Sequence, residues 1–413
     1  MEEDEFFDDD VFRRFEEMLN TNKNYFFDLD DFLEIIDEYM MLANYNVAKK
    51  AIDLALDQYP NNVDILLYKA EFYSLIDQLE NAEKVIENIK QIEPNRVEIP
   101  LLEAELYSRK NMHQKAIVSL KKALIVAEDK LEVFEMLTLE YLYLENYKAA
   151  LDTSLKSLDY DQGNATALYN AITCFDLLEE TTQAIIFLKK QVKVQPFNEV
   201  AWSLLGKKYI EIYDYDLALE AFEFAIAIDD KFLGAYYDKA FVLSKKELFL
   251  KAINCYEQTL VIADPTAFTY YHLAKIFAQL DNQEAAVENY LLALHEDPGH
   301  VKSWIKLIKL KMDMQQYNEA LVLSNKALDV IQNESILDLQ SEIYLLLKQT
   351  DKAIQSLEKS LKLGMPRIFS ILKLADLYKQ TNQIEAYRNL LIEAKKQFPD
   401  SKDIKNRMLG ADE

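Results

Sequence analysis

Glycine and proline are scarce, 6 and 8 among 413 residues. So few turn formers do not suit a β-sandwich or a loop-rich fold, whose tight turns draw on both residues. β-branched runs of period two, the mark of strands, do not occur. There are two cysteines, Cys174 and Cys255. Two thiols on separate helical stretches exclude a disulfide framework and read as buried free thiols. No apolar run approaches the roughly 18 residues of a membrane span. The first ten residues, MEEDEFFDDD, hold seven acids and no base. That is the reverse of a secretory leader, so a cytoplasmic location is expected. No Ser/Gly/Pro linker and no low-complexity tract interrupts the chain.

Catalytic signatures are missing as well. The four histidines, His113, His272, His295 and His300, show no metal-ligand spacing. His295 and His300 flank the Asp297–Pro298–Gly299 stretch, which reads as a solvated turn. Gly206–Lys207–Lys208 lacks the upstream glycine of a phosphate loop. No GxSxG elbow occurs. The many carboxylates read as solvated helix faces. No enzyme activity, cofactor or metal is expected.

What is present is a period. Ala48, Ala82, Ala116, Ala150, Ala184, Ala218, Ala252, Ala286 and Ala320 stand 34 apart, and Ala353 follows after 33. A fixed period of this length marks a solenoid of stacked units. Prolines and tryptophans keep the same time. Pro60 and Pro94 are 34 apart, Pro196 and Pro298 fall at further multiples, and Trp202 and Trp304 are 102 apart. The first unit runs 29–62, and the next ten start at 63, 97, 131, 165, 199, 233, 267, 301, 334 and 368. The eleventh ends at 401. Residues 1–28 precede the array as an acidic segment, and 402–413 follow as a short tail. Each unit reads as two helices: in 199–232, Trp202, Leu205 and Tyr209, then Leu217, Phe222 and Ala225, follow the helical period. Glu211–Asp214 supplies the turn between them.

These residues resemble the tetratricopeptide repeat. The sixth unit offers Trp202, Leu205, Gly206, Tyr209, Ala218, Phe222 and Ala225. The eighth offers Tyr270, Leu273, Ala274, Phe277, Ala286, Tyr290, Ala293 and Pro298. Small residues such as Gly206, Ala240 and Ala274 let the two helices of a unit approach, and aromatics fill the gaps. The eleventh unit departs, with Tyr387 in place of the guide alanine. The resemblance implies an all-α superhelical solenoid of about eleven helix-turn-helix units, a scaffold that binds other proteins.

Net charge is −25, which repels nucleic-acid phosphates. Its distribution is uneven. Residues 1–100 hold 25 acids and 9 bases, whereas residues 301–413 hold 15 acids and 18 bases. In the family, the first helices of successive units line a groove, with their second, fifth, ninth, twelfth and thirteenth residues facing a ligand. The resemblance therefore implies a groove acidic at its start, with Asp37, Glu71 and Glu105 at the ninth position. It turns cationic and aromatic in the middle, with Lys207, Phe241, Lys275 and Lys309. Tyr169, Tyr237 and Tyr271 occupy the fifth position there, and Phe268 adds a ring. Lys302, Lys306 and Lys309 recur at i, i+4 and i+7, so they share one helix face.

Two readings of these residues stand side by side. Either they bind a peptide or helix segment, of acidic and aromatic character, or the rings pack on neighbours and the lysines are solvated. Acids at the first three ninth positions argue against a clamp for peptide carboxylates. The asparagine ladder of sugar-transferase superhelices is absent. A structural or regulatory assembly subunit, working through convex face and ends, is the alternative to a groove adaptor. Within 1–28, Asp8–Asn20 is expected to form a capping helix through Val11, Phe12, Phe15 and Leu19. The stretch Glu2–Asp10, with Phe6 and Phe7, could instead dock in the basic groove of another copy. Ten residues reach only about 35 Å, while five stacked units span roughly 90 Å.

Overall fold

The computed structural model describes residues 9–21, 25–127, 129–364 and 367–409. The stretch Glu2–Asp8 lies outside the described residues, as does the end of the tail beyond Leu409. Twenty-four helices and no strand occur among the described residues. They are α1 (Asp9–Asn20), α2 (Leu29–Met41), α3 (Tyr45–Gln58), α4 (Val63–Leu75), α5 (Leu79–Ile92), α6 (Ile99–Arg109), α7 (His113–Val126) and α8 (Leu131–Tyr143). Next come α9 (Tyr147–Tyr160), α10 (Ala165–Leu177), α11 (Thr181–Val194), α12 (Glu199–Glu211), α13 (Tyr215–Ile228), α14 (Leu233–Lys245), α15 (Phe249–Ile262) and α16 (Ala267–Gln279). The last are α17 (Gln283–Glu296), α18 (Val301–Asp313), α19 (Tyr317–Val330), α20 (Glu334–Leu346), α21 (Thr350–Leu363), α22 (Ile368–Gln380), α23 (Ile384–Gln397) and α24 (Lys402–Leu409). From α2 to α23 they form eleven helix hairpins, an α-α solenoid in class.

The guide alanines explain the period. All ten, from Ala48 to Ala353, have no exposed surface. Each sits where the second helix of a unit meets its neighbours, and a larger side chain there would hold the helices apart. The turn between the two helices is also periodic. Ala43, Asp77, Asn111, Glu145, Glu179, Tyr213, Glu247, Asp281, Gln315, Lys348 and Asn382 all have positive φ, between 54° and 61°. In the first, the Ala43 N–H donates to the Met40 carbonyl at 3.0 Å and the Asn44 N–H to the Tyr39 carbonyl at 2.9 Å. This pair of bonds is the Schellman stop of a helix, a place that usually takes glycine. Asparagines then start several first helices: the side chains of Asn62, Asn164 and Asn198 accept from Ile65, Ala167 and Ala201 N–H at 2.8–3.0 Å.

The chain divides into two compact units, Met1–Leu204 and Leu205–Glu413. In the first, α1 buries Val11 and Phe15 against α2, with the Phe15 and Phe27 rings edge-on at 5.7 Å. Phe12 and Leu19 add to the same cluster. The Trp202 indole N–H donates to the Pro196 carbonyl at 2.9 Å. In the second unit Trp304 makes the same bond to Pro298, also at 2.9 Å. Proline and tryptophan keep one period because each indole caps the carbonyl of the proline six residues before it. Also in the second unit, the buried Tyr387 donates its hydroxyl to the Arg407 carbonyl at 3.1 Å. The ring at the eleventh guide position thus holds α24, whose Ile404 is fully buried. Cys174 and Cys255 are free and buried, and burial pushes the Cys174 thiol up to about 11.

Candidate functional site: a lysine and ring face in the second unit

Three first helices, α14, α16 and α18, carry the site. Their fifth, sixth and ninth residues fall on one side because these spacings are close to one helical turn. At four steps of the array, the ninth residue of one first helix meets the sixth residue of the next. In unit one, the Tyr68 hydroxyl donates to Asp37 at 3.1 Å. In unit two, Lys207 pairs with Asp238 at 3.4 Å and Lys373 with Glu342 at 3.0 Å. Asp376 pairs in the same register with Arg407 of α24. These four contacts bring together complementary groups, whereas at other steps one position is apolar, as with Glu71 and Leu102 or Lys309 and Leu339.

One step of this register has a lysine at both positions. Lys275 is the ninth residue of α16, and Lys306 is the sixth of α18. The Lys275 ammonium is pushed below its ordinary range by partial desolvation, then by Lys306, Lys245 and Lys302. Like charges and lost water both disfavour the charged form. Among the described residues, none of these four lysines has an ion-pair partner, and all four are exposed. Two of them lie over ring faces: Lys245 is 5.4 Å from the Phe241 centroid and Lys275 5.7 Å from that of Tyr271.

The rings divide into packed and open ones. Tyr237 is half-buried, shares a hydrogen bond with Thr269 at 2.9 Å, and meets Phe268 edge-on at 5.1 Å. Tyr271 is also half-buried, among Tyr290 at 6.1 Å, His300 at 5.2 Å and His272 at 5.2 Å. Burial raises its phenol pKa. Phe241 and Phe268 remain open, 39% and 49% exposed. His272 stacks on Tyr256 at 5.5 Å and touches Phe268 at 4.3 Å. Burial, then Lys275, Lys302 and His300, lower its pKa to about 4. The imidazole is therefore neutral at pH 7 and acts here as a ring.

Among the residues singled out from sequence, Lys275, Lys302 and Lys306 share one electrostatic neighbourhood with Tyr271. Lys207 is exposed but already paired with Asp238. Lys309 is exposed on α18 and is not among the charges acting on Lys275. Lys245 and His272 were missed. Lys245 is the thirteenth residue of its unit and lay within reach of the groove rule. His272 had no legible signal, since its ring stacks on Tyr256 of the preceding helix α15 as well as touching Phe268 of its own.

In the first unit the same face is acidic. Glu71 is half-buried, and its pKa is raised by burial and then by Glu105 and Asp37. Among the described residues no group of three or more His, Cys, Asp or Glu could hold a metal. Nor is any helix among them long and apolar enough to cross a membrane.

Tandem helix hairpins on a 34-residue period, with buried small residues at the hairpin contacts, define a repeat scaffold class. Residues 269–300 and 335–363 match the family model of the tetratricopeptide repeat. The chain is a tetratricopeptide-repeat protein. It is 25% identical over 190 residues to anaphase-promoting complex subunit 3 of Schizosaccharomyces pombe (strain 972 / ATCC 24843). That match covers 44% of this chain and spans only 28% of the relative's length. Among solved structures, the Cut9–Hcn1 hetero-tetramer of the APC/C aligns over 94% of this chain and 97% of that one, at 15% identity and TM-score 0.37. YrrB, a TPR protein with an unusual peptide-binding site, aligns over 45% and 96%, at 14% identity and TM-score 0.36.

Proposed function

We propose that this chain is a non-catalytic cytoplasmic scaffold that holds acidic, aromatic segments of other proteins against α14, α16 and α18. One observation carries the reading. Lys245, Lys275, Lys302 and Lys306 are all exposed with no ion-pair partner among the described residues, beside the rings of Phe241 and Tyr271. An incoming carboxylate would supply the missing charge, and its interaction is strengthened by partial desolvation. The open faces of Phe241 and Phe268 beside these lysines would take an aromatic or aliphatic side chain of the same segment. Anaphase-promoting complex subunit 3, to which the chain is similar over 190 residues, is a subunit of a complex, in keeping with a scaffold role.

The reading is tested by selecting binding peptides from a random library on the full chain. Enrichment of Asp or Glu next to Phe or Tyr is expected. It should vanish for Lys275→Glu with Lys306→Glu, with the helical circular dichroism unchanged. Selection of basic or purely aliphatic peptides would overturn it.

A second reading rests on a different observation. Val287, Leu291, Leu307, Val322 and Leu323 line an apolar cleft of about 390 Å³ between α17, α18 and α19. Leu291 and Val322 are 47% and 54% exposed there. A cleft on the second helices would suit an assembly subunit that docks by its outer face. In that case Leu291→Lys with Val322→Lys would lose the natural partner, and the lysine variants would keep it.

A further inference from the structure

We propose that residues 1–8 of one copy occupy the lysine and ring face of a second copy, so that the chain associates with itself and occludes its own groove. This rests on the groove reading above and names an occupant for it. The face has a specific demand: negative charge for Lys245, Lys275, Lys302 and Lys306, and apolar rings for Phe241 and Phe268. Residues 1–8 read MEEDEFFD, five acids around two adjacent phenylalanines with no lysine or arginine. Acids stand on both sides of the ring pair, at Glu5 and Asp8. Phe6 and Phe7 can therefore meet the open rings while the flanking carboxylates meet the lysines.

Lys275 and Lys306 come from adjacent first helices, and Lys302 lies one turn before Lys306 on α18. A short extended segment, at up to about 3.5 Å per residue, is long enough to cross from one of these helices to the next. Burying two phenylalanine side chains offers on the order of 1.5–3 kcal/mol each before the ordering cost. Charge attraction raises the association rate and makes it sensitive to salt. A reciprocal exchange of segments between two copies closes as a two-fold dimer.

The test uses the full chain throughout. A fluorescent peptide MEEDEFFD is titrated into the Phe6→Ser with Phe7→Ser form, which leaves the face empty. We expect saturable binding that weakens as salt rises from about 50 to about 300 mM. Binding should fall at least about tenfold for Lys275→Gln with Lys306→Gln, which removes charge without reversing it. Sedimentation velocity should show a concentration-dependent dimer for the parent chain and a monomer for the Phe6→Ser with Phe7→Ser form.

No peptide binding at high micromolar concentration, or binding that survives the lysine substitutions, overturns the proposal. So does a parent chain that stays monomeric at every concentration. If library peptides still bind through Lys275 and Lys306 while MEEDEFFD does not, the groove reading stands and only the self-docking falls.

Discussion

Gly206 is one residue whose lack of a side chain has a visible cause. A Cβ built there would stand 2.6 Å from the Phe222 ring, and that ring is fully buried. The ring has nowhere to go, so Gly206→Ala should destabilise the second unit by about 1–3 kcal/mol. Calorimetry of the variant checks this; an unchanged melting temperature would mean the ring shifts freely. His272 gives a pH dependence. Its folded pKa of about 4 lies below the ordinary value of 6.5. Between these values the unfolded chain takes up a proton and the folded chain does not, so stability falls as pH drops from 6.5 towards 4. Above 6.5 the contribution is fully present. His272→Phe should lose less stability than the parent across that window, as read by urea midpoints at a series of pH values. Gly206 was legible in the sequence because the repeat pattern puts a small residue there. The neutral state of His272 was not, because it depends on side chains from other helices.

At the scale of the element, the scarcity of glycine acquires a structural meaning. Eleven hairpin turns each place a non-glycine residue at positive φ, where a Cβ crowds the backbone. At Glu247 the turn is closed by donation from its own N–H to the Ser244 carbonyl at 3.1 Å, and from the Leu248 N–H to the Leu243 carbonyl at 2.9 Å. The bonds hold the strained residue in place. Glu247 is exposed, so its side chain has little packing to lose. Glu247→Gly should therefore raise stability by roughly 0.5–1 kcal/mol, the relief of strain exceeding the added chain entropy. A fall in the thermal midpoint would show that the strain is smaller than the entropy. The turns were placed from the break in apolar periodicity, as at Glu211–Asp214. Their left-handed geometry was hidden, because no glycine marked it.

For the whole molecule, charge is the organising quantity. The first hundred residues are strongly acidic, and the last hundred or so slightly basic. The two units show this at equivalent positions: Glu71 feels other acids and Lys275 feels other lysines. A carboxyl whose folded pKa is raised destabilises the fold at neutral pH and does so less as the pH falls. Glu71→Gln should accordingly raise the melting temperature at pH 7, with the advantage shrinking in acid. Equal gains at both pH values would point to packing rather than charge. Stability in a solenoid is a sum of units and their interfaces, so these effects are local in origin.

The sequence alone determined the period, the helix pairs and the family resemblance. Each follows from a spacing, and spacing is written in the chain: Ala48 to Ala353 mark the contacts wherever the units stand. It also named the helices that carry the lysine and ring face. Only the tertiary structure decided which of those residues are already satisfied. Lys207 finds Asp238, Tyr237 finds Thr269 and Tyr271 lies among three other rings. Lys275 finds Lys306 instead. The physical reason is that pairing depends on which residue the next unit presents roughly 31 places along the chain. A repeat fixes that position, but not its charge.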